Sequence, residues 1–120
     1  MTRSLLSAML AATLILGAVS PAAATTAAIS PSTQSHAHGV ASQWNLSWSG
    51  HSPFQWEFDF GDGAYTGSFG AWVSYTSKHV TYAFYPCSWT QFNQSLVVDD
   101  AWGIRAVRSS YASENGGNPC

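Results

Sequence analysis

Large apolar and polar side chains alternate in several separate stretches of this chain, and each such stretch reads as a β-strand with one buried face. The clearest is residues 54–60, where Phe54, Trp56, Phe58 and Phe60 fall on one side and Gln55, Glu57 and Asp59 on the other. A helix would spread those rings around its circumference. Gly61-Asp62-Gly63 follows as a turn, because glycine accepts positive φ and a turn aspartate accepts hydrogen bonds from nearby amides. Residues 43–48 repeat the pattern with Trp44, Leu46 and Trp48, and Ser49-Gly50 and Pro53 interrupt it before the next run, so the two runs are expected to pair. Lys78 to Phe84 aligns Val80, Tyr82 and Phe84. The longest strand spans residues 90–99, with Phe92, Leu96 and Val98 on one face and Gln94 as a polar member of that face. A turn over residues 99–103 leads into the last strand, Ile104 to Tyr111. Gly67 and Gly70 argue against a regular central strand between Gly63 and Val80, which reads as a loop with a short strand around Trp72 to Tyr75.

Short antiparallel strands at this spacing, with no long helical period, predict an all-β fold of two packed sheets. The segments Phe58-Asp59-Phe60-Gly61-Asp62-Gly63, Val80-Thr81-Tyr82 and Leu96 to Gly103 follow one another in the order and phase of the W-D-F-G-D-G, H-T-Y and L-T-V-T-D-x-x-G elements of a known family. Over residues 43–112 the chain thus resembles the PKD (polycystic kidney disease) repeat, an immunoglobulin-like β-sandwich. Phe58 stands where that family usually has Trp, and the segment from Phe84 to Trp89 reads as an insertion. The resemblance implies an immunoglobulin-like antiparallel sandwich and a non-catalytic module that contacts proteins or polysaccharides outside the cell.

The N-terminal region has the pattern of an export signal: Arg3, an apolar run from Leu5 to Val19, and the small residues Ala22-Ala23-Ala24. Cleavage is expected after Ala24. The apolar run is shorter than the ~20 residues that a membrane span needs, so the product is expected to be secreted and free of the membrane. Residues 25–40, rich in Thr, Ser, Ala and Pro, read as a flexible leader. The sandwich is then expected over residues 41–112, with residues 113–120 as a tail. Cys87 and Cys120 are the only cysteines. In an exported chain they are expected to form a structural disulfide, with an intermolecular bridge as the competing arrangement. Closing the loop within one chain is worth roughly 3 to 4 kcal/mol.

Beyond the signal, Lys78, Arg105 and Arg108 face six carboxylates, which disfavours nucleic acid as a partner. Asp59 and Asp62 are assigned structural roles in their turn, and calcium enters as an alternative if that turn meets Asp99 and Asp100 at one end of the sandwich. His51 and His79 lack the G-x-S-x-G context of a nucleophile, and His36, His38 and His51 make only a weak metal set. Neither catalysis nor a cofactor is therefore expected. The usable chemistry is aromatic. The chain has 6 Trp, 5 Tyr and 6 Phe, all at or after Trp44, more than a small domain can hide. Trp44, Trp48 and Trp56 keep strand phase and are expected in the core. Tyr65, Phe69, Trp72 and Trp102 lie outside that phase and are the candidate ligand-binding residues, with Trp89 beside Cys87 a further exposed ring. Such rings stack on sugar faces or anchor protein contacts. Extracellular polysaccharide or cell-wall material is the expected partner; the alternative is a protein-interaction or inhibitor module using the loop between Gly63 and Ser77.

Overall fold

The computed structural model describes residues 24–117, and these contain strands, turns and loops but no helix. In chain order the strands are β1 (Thr26–Ser30), β2 (Thr33–His36), β3 (Ser42–Ser49), β4 (Gln55–Asp59), β5 (Tyr65–Gly67), β6 (Ser77–Tyr82), β7 (Thr90–Asp99) and β8 (Arg105–Glu114). They form a three-stranded sheet, β1-β3-β6, and a five-stranded sheet, β2-β8-β7-β4-β5. All pairings between these strands are antiparallel except that of β2 with β8, which is parallel. The first edge of the sandwich is thus split, β1 joining one sheet and β2 the other. This arrangement makes an all-β sandwich of two packed sheets.

The alternating rings line the space between the sheets. Phe54, Trp56, Phe58 and Phe60 are all buried, as are Trp44, Leu46 and Trp48 from β3. Trp44 meets Phe58 edge-on at 5.2 Å between centroids, and Trp48 stacks on Trp56 at 5.5 Å. Ring pairs of this geometry add about 0.5–1.5 kcal/mol each beyond the area they bury. Gln94 belongs to the buried face because its amide is fully used. Nε2 donates to the carbonyls of Phe60 and Phe92, and Oε1 accepts from Ser110 Oγ.

Three expectations need correction. First, β3 and β4 do not pair; β3 lies between β1 and β6, and β4 between β5 and β7. Both strands turn their rings inward from opposite sheets, and residues 50–54 arch between the layers instead of closing a hairpin. Second, residues 25–40 are not a flexible leader. Thr26 to Ser30 pairs with Ser49 to Asn45, and Thr33 to His36 pairs with Tyr111 to Glu114. The small and hydroxylated side chains there occupy edge strands whose order comes from backbone ladders, with Ile29 alone of their large side chains buried. The sandwich therefore starts before residue 41, and β8 carries it past residue 112 to Glu114, which is buried and accepts from Ser42 Oγ at 3.0 Å. Third, Trp72 to Tyr75 forms no strand, only an isolated bridge between Val73 and Phe54. The short strand is β5, and it requires Gly67 because a Cβ there would sit 2.3 Å from the Trp56 carbonyl oxygen. Residues 1–23, nearly all of the proposed signal, and residues 118–120, including Cys120, lie outside the described residues.

Candidate functional site

Strand register decides which loops share an end. Along β4, Gln55 lies opposite Asp99 of β7 and Asp59 opposite Ser95. The arch over residues 50–54 and the turn over 100–104 therefore lie together at one end, and the Asp59–Asp62 turn lies toward the other. Backbone hydrogen bonds join three loops at the first end: Ala101 N donates to His51 O, and Phe54 and Val73 exchange a pair. The loop carrying Trp72 is fastened further by two buried indoles, Trp48 Nε1 donating to Tyr75 O and Trp56 Nε1 to Tyr75 Oη, both at 3.0 Å.

Asp100 is the hub of this end. Its carboxylate is fully buried and accepts from Thr25 Oγ1 at 2.6 Å, from His51 N and Nδ1, and from the amides of Trp102 and Ile104. Burial opposes its charge, but the hydrogen bonds from Thr25, His51 and the backbone of Ile104 outweigh that cost and hold its pKa well below the usual carboxylate range. An ionised carboxylate only accepts, so His51 Nδ1 carries the proton in this pair. The imidazole so oriented lies face to face with the Trp102 indole, 3.4 Å between centroids and 10° between planes. Trp102 is nevertheless 69% exposed. One face of a solvent-facing ring is thereby backed by a fixed platform.

Trp72 (53% exposed) and Phe69 (43%) lie in the neighbouring loop at the same end. Gly70 N donates to Gln55 Oε1, which ties that loop to the start of β4. Tyr65 is exposed too, but it sits opposite Asp59 on the outward face of the five-stranded sheet, apart from the other three. Trp89 and Tyr85 are exposed in the loop between β6 and β7, at the far end. The structure thus gathers Phe69, Trp72 and Trp102 at one end and leaves Tyr65 elsewhere. Sequence reasoning missed the support given by His51 and Asp100; the doubled aspartate before a Trp-Gly turn was the available signal.

The two acidic turns do not meet. Asp59 Oδ1 accepts from Gly61 N, and Asp62 Oδ1 accepts from Ala64 N while its Oδ2 accepts from Tyr82 Oη at 2.6 Å. Asp99 holds Arg105 by two hydrogen bonds at the opposite end of β4, so a calcium site shared between the turns is ruled out by register. His36 bonds Gln34 and His38 bonds the Pro86 carbonyl, each far along the fold from His51. Among the described residues no group of three or more His, Cys, Asp or Glu is placed to hold a metal ion. No helix among them is long and apolar enough to cross a membrane. Comparison with protein-family models gives no match to this chain, and comparison with curated proteins gives none either.

Proposed function

We propose that the chain is an exported, non-catalytic, PKD-like module that holds extracellular polysaccharide or cell-wall material on the aromatic end formed by Phe69, Trp72 and Trp102. The observation that carries this reading is the exposed Trp102 indole stacked on His51, which Asp100 orients from below. A rigid ring loses little conformational entropy on stacking against the C–H face of a sugar, whereas a mobile one must be ordered first. The low charge of the chain, 8% Asp, Glu, Lys and Arg, suits a neutral polymer better than an ionic partner. A His–Asp pair also occurs in hydrolytic sites, but here the Asp100 oxygen facing the imidazole also accepts a hydrogen bond from the Thr25 hydroxyl, and the imidazole serves as a support.

The test is co-sedimentation of the purified secreted protein with insoluble cellulose, chitin, xylan and peptidoglycan. Retention on one of them, reduced about tenfold or more in Trp102→Ala and Trp72→Ala and kept in Trp89→Ala at the far end, is the expected result. Retention on none, with stable capture of an extracellular protein through residues 63–77, would replace this reading with the protein-interaction one.

A further inference from the structure

A second concave surface lies away from the aromatic end, where the chain crosses from one sheet to the other between β1 and β2. The parallel ladder of β2 with β8 starts at Thr33 and Tyr111, with Tyr111 N donating to Ser32 O. Ser109, two residues earlier on the same edge of β8, has no partner in that ladder. The strand switch leaves a notch of about 410 Å³ lined by Ser32, Thr33, Asn93, Ser109 and Tyr111, together with Gln94 and Ser110. Phe92, Gln94, Ser110 and Ala112 point toward the core, so Asn93, Ser109 and Tyr111 point outward, and Thr33, Tyr111 and Asn93 form one row across three strands.

We infer that this notch is a binding site for a neutral sugar unit. The volume falls in the range of roughly 300–1,000 Å³ usual for small-molecule sites. Its lining contains no ionisable acid or base other than the Tyr111 phenol, which argues against a phosphate, a carboxylate or a cation. Purely apolar ligands would strip water from the hydroxyls without replacing their hydrogen bonds. A sugar meets both demands, its C–H face on the half-exposed Tyr111 ring and its hydroxyls on Thr33, Ser109 and Asn93. Gln91 Nε2 already donates to Asn93 Oδ1, which leaves the Asn93 amide N–H groups for the ligand. This inference rests on the polysaccharide reading for its ligand class, but it uses different residues.

The experiment is a titration of the secreted protein, labelled with nitrogen-15, against cellohexaose, chitohexaose and xylohexaose in turn. One of them is expected to shift the amides of Thr33, Asn93, Ser109 and Tyr111. Tyr111→Ala and Asn93→Ala should each weaken that binding about tenfold or more with unchanged thermal melting, while Tyr111→Phe, which keeps the ring, stays within about threefold of the parent. Shifts confined to residues 68–76 and 100–104, with both notch variants binding like the parent, would overturn the notch and leave the aromatic end standing. Shifts confined to the notch would support it and remove the aromatic end. No shift with any of the three would overturn the notch as a neutral-sugar site, while retention on peptidoglycan would still support the aromatic end.

Discussion

Asp100 carries five hydrogen bonds from three segments, so its replacement is felt across the whole aromatic end. Asp100→Ala leaves part-buried donors from Thr25, His51 and two amides without an acceptor, and a loss of about 1–3 kcal/mol is expected in denaturant unfolding. Its pKa is depressed on folding, so the stabilisation is complete above the ordinary carboxylate value of about 3.9 and is lost as pH falls below it. Asp99, whose pKa the Arg105 hydrogen bond lowers, acts in the same direction. Melting temperature is therefore expected to fall steeply below about pH 4 in the parent and less steeply in Asp100→Asn. An equally steep acid limb in that variant would count against the assignment. Tyr82 works at the other extreme. The Asp62 hydrogen bond, with help from burial, pushes its phenol up to about 12. Because the folded value is raised, the associated stabilisation is whole below about pH 10 and fades as pH climbs toward 12. In a spectrophotometric tyrosinate titration one tyrosine should lag, and Asp62→Asn should bring it back toward about 10.

The two N-terminal strands illustrate where stability lies among the elements. β1 and β2 bury few large side chains, yet they occupy one edge of each sheet, and Thr25 just ahead of β1 feeds Asp100. A chain beginning at residue 41 is expected to lose cooperative thermal unfolding, whereas one beginning at residue 24 keeps it. Equal melting of the two would show that these edges are dispensable. The contrast also explains what was legible in the sequence. β3, β4, β6 and β7 announced themselves because large apolar side chains recur at alternate positions, and only a strand puts those on one face. TAAIS and TQSH contain no such signal, and their order comes from partners elsewhere in the chain, β3 for the first and β8 for the second. Alternation also fixes a strand's face and not its neighbour, which is why β3 and β4 looked like a hairpin and are instead opposed across the core. At the candidate site, exposure of Trp72 and Trp102 could be read from their place outside strand phase. The stack on His51 could not, since it joins residues brought together only by the sandwich.

At the scale of the whole molecule, a small core crowded with rings would gain from a covalent tie in the proposed extracellular setting. Small secreted domains commonly add a crosslink, and the fold brings the tail to the right place for one. After β8 the chain continues alongside the loop that carries Cys87, with Asn115 N donating to His36 O and Gly117 N to Pro86 O. Cys87 is not a free cysteine. Residue 117 thus lies beside the neighbour of Cys87 and three positions before Cys120, within the span a few extended residues can cover. An intrachain Cys87–Cys120 bridge would lock the end of β8, and with it the buried Glu114 that accepts from Ser42, against the loop at the far end from Trp102. It is expected to remove about 3 to 4 kcal/mol of chain entropy from the unfolded state. Cys87→Ser should therefore lower the melting temperature by about 10 °C or more without changing polysaccharide retention at the opposite end. Thiol titration of the unfolded, unreduced secreted protein should find no free thiol, and a non-reducing gel should show a monomer. A reducible dimer on that gel would place the bridge between chains, and two titratable thiols would remove it altogether.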